Sequence, residues 1–452
     1  MQNQYVLAVV LIASFSNPCL SSCINVAIPV MAGEFHVEAA SLGWVVTAYL
    51  LGAVCMMLPF GRLADTLGRK RLFQAGIAVV AILSVACAMA PEEEVLILLR
   101  FLQGISIASV YTTNMALLVS AHEPSQRGRV IGFSAAATYI GLSLGPFLGG
   151  VVTHWFGWRM LFFGSAAFMG LCLFLSRRIE GEWYGDRGGK LDLVGSLLYM
   201  AGSLVLLYGL SVCGNKSFAP QLIGAGIFFW ALFLWEQRRS SAPLLELSLF
   251  RNTFFAMSSL ASFLHYSATY AIGFLMSLYL QVVRGMDEVT AGCVMLLQPV
   301  MMALLSPLAG AVSDRLPHRI VASAGMGITA SGLLALSFLK PDTPMPLVGG
   351  ILMLIGIGFA FFSSPNSNAI MSSVEARQYG VASSVLSIMR MFGESMSMVL
   401  VTALLHSHLQ GALGAEHISL LGSGIPRIFF LFALVSFAGA GISMLRGKRR
   451  AA

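Results

Sequence analysis

The stretch "IMRMFGESMSM", Ile388 to Met398, carries Arg390 and Glu394 inside a run that is otherwise apolar. Four residues apart, the two share a face of a helix. Ionisable residues kept in an apolar medium face the interior of a bundle and mark ion or substrate paths. Apolar surroundings disfavour the charged form of a carboxyl, and a nearby cation favours it. A carboxyl balanced between these effects takes up and releases a proton as its access to water changes. The same spacing suits a static ion pair that holds one helix in register, and both readings stay open. Arg100 is a further charge inside an apolar run. Other chemistries lack a foothold. No nucleotide-binding loop or nucleophile–base set is evident, so no enzyme and no cofactor are expected. The seven cysteines show neither metal spacing nor a disulfide framework. His406 and His408 alone are too few for a metal site.

The elements that must position these charges follow from composition. The chain is 57% apolar and 10% charged, whereas soluble domains are about a quarter charged. A chain of this kind reads as an all-α integral membrane protein, because runs this long cross a bilayer only as helices. Fourteen runs qualify, near 5–32, 42–60, 71–90, 95–120, 129–153, 159–176, 192–212, 219–236, 253–282, 289–311, 320–339, 346–371, 379–405 and 425–445. The first lacks a basic leader and is read as a span rather than a cleaved signal. Arg159, Lys216, Arg284, Lys340 and Arg427 fall on one side, and Arg100 and Arg390 fall within spans. The remaining Lys and Arg share the side of "GRLADTLGRKR". That asymmetry makes the basic side cytoplasmic, with both termini there. It also accounts for the net charge of +7 without nucleic acid.

The chain repeats itself. "GRLAD" (61–65) recurs as "GAVSD" (310–314), and each is followed by basic residues. Aligning Gly128 with Gly380 also aligns Gly141 with Gly393. The expected plan is a six-helix bundle over 1–180, a linker with two inserted helices over 181–250, and a second six-helix bundle with a short basic tail over 251–452. Two membrane halves around a central cavity is a transporter plan.

These residues carry a resemblance. "GRLADTLGRKR" (61–71) resembles the signature loop of the major facilitator superfamily, and "RFLQGISIA" from Arg100 is similar to its fourth-helix motif. "GLSLGPFLGG" matches the antiporter motif of the fifth helix at Gly141, Gly145, Pro146, Gly149 and Gly150. "WVVTAYLL" (44–51) and the two inserted spans resemble the fourteen-span drug:proton antiporters of the EmrB/QacA type. The resemblance implies proton-coupled efflux of small hydrophobic or amphipathic compounds from the cell membrane, with protons and the bilayer as partners and a monomer as the working unit. It also implies a role in proton transfer for Arg100. Leu20 stands where such antiporters often carry an acid, so cationic, neutral and anionic substrates all stay open. The competing reading is a carrier of one metabolite, with Arg390–Glu394 structural.

Further roles follow from residue type. Gly61 and Gly68 are expected to allow a tight turn and close helix approach. Asp65, with Arg69 behind it, is expected to meet the positive end of the helix near Gly380, and Asp314 to do the same for the fifth span. Together these would latch one of two conformations. Gly141, Gly145 and Gly149 form a smooth stripe for a neighbouring helix, and Pro146 adds a bend. Asn17, Ser21 and Asn25 share a face of the first span. With Tyr139, His265, Tyr266, Tyr270, Gln298, Asn366 and Asn368, they are candidates to line a substrate cavity. "EGEWYGDRGG" (180–189) reads as an amphipathic turn on the membrane surface.

Overall fold

The structure is a computed structural model of the 452-residue chain. It describes residues 2–38, 41–123, 127–185, 191–212, 217–240, 243–245, 247–374, 379–409 and 415–446. In chain order the helices are α1 (Gln2–Phe35), α2 (Gly43–Leu67), α3 (Arg69–Ala88), α4 (Glu93–Ala121), α5 (Arg127–Phe156), α6 (Arg159–Ser176), α7 (Leu193–Ser211) and α8 (Ala219–Gln237). Then come α9 (Thr253–Thr269), α10 (Ile272–Ser277), α11 (Glu288–Met295), α12 (Leu297–Arg315), α13 (His318–Leu336), α14 (Met345–Met371), α15 (Tyr379–Leu409) and α16 (Ala415–Met444). Among the described residues they supply 14 segments long and apolar enough to cross a membrane, the number read from the sequence. The ninth joins α9, α10 and a π-helical turn, Leu278–Val283. The tenth joins α11 and the start of α12.

The chain forms two compact units, Met1–Leu245 and Glu246–Ala452. In the first, α5 lies along α1, α2 along α4, and α3 against α4 and α6. In the second, α13 packs on α14 and α16, α12 on α14, and α15 and α16 on α9. Lipid offers helices no hydrophobic reason to associate, so small residues and interhelical hydrogen bonds must do it. On α5, a Cβ at Gly141 would collide with the Phe15 carbonyl oxygen, and one at Gly149 would lie 2.7 Å from Cys23 Cα. Around this stripe Cys23 Sγ bonds the Gly145 carbonyl at 3.1 Å, and Ser14 and Ser134 bond through their hydroxyls at 2.9 Å. The second unit repeats the device. A Cβ at Gly393 on α15 would lie 2.6 Å from the Phe263 carbonyl oxygen of α9.

The inserted pair, α7 and α8, packs as part of the first unit. Tyr199 on α7 is buried, donates its hydroxyl to the Val54 carbonyl of α2 at 2.8 Å, and meets Trp230 of α8 edge to face and Phe233 at a tilt. Asp192 caps α7 at Gly195 N and accepts from Gln237 Nε2 at 2.7 Å, which pins the two helices at one end. On α8, Ile227, Phe228 and Trp235 are exposed, as suits a lipid contact. Tyr199→Phe is expected to cost about 0.5–1.5 kcal/mol by removing the hydrogen bond that ties α7 to the Val54 carbonyl of α2. It should lower the thermal midpoint in detergent and speed proteolysis of the chain around α7; an unchanged midpoint would show the bond to be dispensable.

Candidate functional site

The pair that opens the sequence is formed in the second unit. Arg390 Nε donates to Glu394 Oε1 at 2.8 Å along one face of α15. Their burial differs: the Glu394 side chain is 7% exposed and that of Arg390 is 39% exposed. The acid is therefore sunk in the bundle while its partner reaches out of it. The Arg390 guanidinium also lies 5.2 Å from the ring centre of Tyr266 on α9, within cation–π range. The close approach at Gly393 brings α15 onto Phe263–Ser267, and so sets the pair against α9.

About one turn beyond the pair, the hydrogen-bond ladder of the ninth span is interrupted, while Tyr270 and Ala271 keep right-handed helical backbone angles. The interruption falls at Tyr270 and Ala271, and Ala271 N donates to Ser397 Oγ on α15 at 3.1 Å. Interrupted helices free backbone groups at membrane depth and are tolerated where protein re-satisfies them. Neither Tyr270 nor Ala271 is a helix breaker, so residue type gave no warning. Length was the usable signal, since the apolar run over 253–282 exceeds the roughly 20 residues that a crossing needs.

Other candidates surround this region in the second unit. His265 is fully buried, with its ring 4.0 Å from Phe362 and 4.9 Å from Phe359. Both its nitrogens lack a hydrogen-bond partner among the described residues. Asn366 is buried and donates to Ser262 Oγ at 2.7 Å and to the Ser258 carbonyl. Tyr266 packs on Phe359. Tyr270 and Gln298 are half-buried and Asn368 is exposed. The side chains of His406 and His408 lie outside the described residues.

Arg100 in the first unit is 1% exposed. Its Nε donates to the Val45 carbonyl at 3.1 Å, a second nitrogen donates to Gln103 Oε1, and its guanidinium stacks 4.1 Å from the Tyr49 ring centre. Gln103 continues to Ser84 Oγ at 2.7 Å, so Arg100 links α2, α4 and α3. Asn17 is buried and donates to the Ala13 carbonyl. Ser21, Asn25 and Tyr139 are half-buried. Asn114 on α4 bonds Ser14 Oγ at 2.9 Å, a contact that its sequence context did not announce. Gly150 and Pro146 are buried beside the glycine stripe.

The signature segment differs from its expected form. Helix α2 runs on through "GRLAD" to Leu67, and only Gly68, at φ 112°, breaks the chain before α3. That backbone region suits glycine and little else. Gly61 sits inside α2 with no atom within 4 Å of its Cβ position, so the turn needs Gly68 alone. Asp65 is paired with Arg69 at 2.8 Å, and Arg69 also bonds Ser120 Oγ of α4 at 2.8 Å. The surroundings of Asp314 and Gly380, the expected counterparts, fall outside the described residues. Of "EGEWYGDRGG", residues 180–185 are described and 186–189 lie outside the described residues. Its described part packs on this turn, because the first amides of α3 need acceptors and Glu182 supplies them at 2.7 and 3.1 Å.

The family model of the Major Facilitator Superfamily matches residues 10–398. The chain belongs to this superfamily. Within it, the chain is 32% identical over 398 residues to the multidrug resistance protein Stp of Mycobacterium tuberculosis (strain CDC 1551 / Oshkosh), a match spanning 86% of this chain and 73% of Stp. It is 29% identical over 390 residues to the riboflavin transporter RibZ of Clostridioides difficile (strain 630), spanning 86% and 85% respectively. A crystal structure of a bacterial homologue of the human lysosomal transporter Spinster, inward-facing and unoccupied, superposes with a TM-score of 0.72 at 16% identity. That match covers 98% of this chain and 97% of the other, and shows a shared fold. The protein is thus a multi-pass membrane transporter of the superfamily, handling small molecules.

Proposed function

We propose that this protein is a proton-coupled exporter. It moves small hydrophobic or amphipathic compounds, drugs among them, out of the cell by alternating access, in exchange for protons. The observation that carries the reading is the ion pair of α15: a carboxyl sunk to 7% exposure, its Arg390 partner at 39%, both set beside an interruption in the hydrogen-bond ladder of the ninth span. In the cycle, Glu394 takes a proton from the outer side, Arg390 is freed from it, and release of that proton inward restores the pair. Support also comes from the name of Stp and from the resemblance of "GLSLGPFLGG" to an antiporter motif of the EmrB/QacA type. Both termini are taken as cytoplasmic, the membrane as the cell membrane, and the monomer as sufficient, with Asn17, Ser21, Asn25, Tyr139 and Tyr270 as substrate contacts.

A second reading has its own support. RibZ is named for a single vitamin, and Leu20 stands where many drug exporters carry an acid, so a carrier of one neutral or anionic metabolite is the alternative. Proteoliposomes decide between them. Under an imposed pH gradient, uphill movement of several unrelated dyes that stops when the gradient is collapsed is the expected result. Saturable movement of riboflavin alone, indifferent to pH, would replace the exporter with the carrier.

A further inference from the structure

The segment after α6 has no part in the scheme above, yet it is built onto the turn between α2 and α3. Every backbone amide of the first three residues of α3 ends on it. Arg69 N donates to the Trp183 carbonyl at 2.9 Å, Lys70 N to Glu182 Oε1 at 2.7 Å, and Arg71 N to Glu182 Oε2 at 3.1 Å. The first amides of a helix have no partner within it and carry its positive end, so a carboxylate there satisfies both needs. Lys70 Nζ reaches the Ile179 carbonyl at 2.9 Å, and Gly185 N returns to the Asp65 carbonyl at 3.2 Å. The Glu182 side chain is 13% exposed and has Arg71 Nε 3.9 Å away.

Both glycines at this contact are explained by it. A Cβ at Gly68 would lie 2.5 Å from the Glu182 carboxyl carbon, and one at Gly185 would strike the Asp65 side chain. The segment therefore touches both sides of the turn, Asp65 at the end of α2 and Arg69–Arg71 at the start of α3. It leads on to α7, which is anchored to α2 through Tyr199 and Val54.

We infer that residues 179–185 are a strap on the α2–α3 turn, and that Glu182 is a positioning residue for transport. Its carboxylate sets how readily the start of α3 leaves its present place when the transporter changes conformation. The inference rests on the reading of this turn as a conformational element. Binding of substrate would not pass through Glu182, so its removal changes turnover and leaves affinity alone. Glutamine keeps the shape but loses the charge and one acceptor. Charge-assisted hydrogen bonds of this kind correspond to roughly a tenfold or larger change in a rate or equilibrium.

The test uses the full-length protein in proteoliposomes, with ethidium as the dye. Glu182→Gln, Glu182→Asp and Asp65→Asn are compared with the unmodified chain for kcat, KM and thermal midpoint. The expected result is that Glu182→Gln changes kcat by about tenfold with KM close to the unmodified value and a lowered midpoint, while Glu182→Asp, which keeps the charge, restores most of the rate. If Asp65→Asn slows turnover and Glu182→Gln does not, the turn matters and the strap does not, which overturns the inference. If neither changes kcat, the conformational reading of the turn falls with it. If Glu182→Gln loses kcat and midpoint and Glu182→Asp does not bring the rate back, the residue is only structural and the inference also fails. Should the variants not fold, hydrogen exchange on the unmodified protein takes their place. Peptides covering 66–75 and 179–185 should change protection together when ethidium is added, and independent behaviour would refute the strap.

Discussion

Glu394→Gln is expected to abolish dye movement against its gradient while leaving dye binding in place. Glutamine matches glutamate in shape and removes the group that exchanges a proton. A positioned proton-transfer group is worth on the order of 100-fold or more in rate, so proton-driven uptake in inverted vesicles should fall to about 1% or less. The substitution is tolerable to the fold because Arg390 is 39% exposed and keeps access to polar surroundings and to the Tyr266 ring. The converse change, Arg390→Ala, leaves Glu394 buried without its partner, and a lone buried charge is the costly case. That variant should therefore lose folded protein as well as transport. The readouts are dye fluorescence under an imposed pH gradient and dye binding by equilibrium dialysis. If Glu394→Gln pumps as well as the unmodified protein, the pair is scaffolding and the coupling group lies elsewhere.

The second large effect is expected at the α1–α5 contact. In Gly149→Ala the new Cβ would sit 2.7 Å from Cys23 Cα and 2.9 Å from the Cys23 carbonyl oxygen. These are backbone atoms and cannot swing aside, so α1 and α5 must separate. Overpacking of this kind costs about 1–3 kcal/mol, and Cys23 Sγ stands to lose its bond to the Gly145 carbonyl. Adding Gly145→Ala, which would strike Ser22 Cβ, should deepen the loss. The control is Gly170→Ala on α6, where nothing lies within 4 Å and alanine should gain roughly 0.5–1 kcal/mol in a helix interior. A drop in thermal midpoint for Gly149→Ala beside a constant or raised one for Gly170→Ala would bear this out. Equal midpoints would mean that the two helices are free to move apart.

Much of this molecule was legible in the one-dimensional chain. A bilayer imposes a length and a composition on every crossing segment, and both are local properties, so the fourteen spans could be counted and approximately bounded. The glycine stripe of α5 and the pairing of Arg390 with Glu394 were legible for a related reason. Both depend on spacing along one helix, and helical periodicity carries that spacing directly. The turn at Gly68 was legible as well, because only glycine occupies its backbone region at ease.

Other features needed the tertiary structure, because they join residues far apart in the chain. Nothing in "IEGEWYG" says that Glu182 will reach the amides of Lys70 and Arg71, since those amides become acceptor-seeking only once α3 exists and α6 ends beside it. The role expected of Gly61 failed for the same reason: α2 does not stop where its apolar run stops, and a helix interior gave that glycine no turn to make. The interruption at Tyr270–Ala271 is satisfied by a hydroxyl from α15, so run length hinted at it but no residue marked where it falls. The unequal burial of Glu394 and Arg390 depends on how closely α15 approaches α9 at Gly393. Local chemistry determined which segments enter the membrane and which charges go with them. Packing between distant segments decided which of those charges is enclosed, where a helical ladder is interrupted, and what holds the turn.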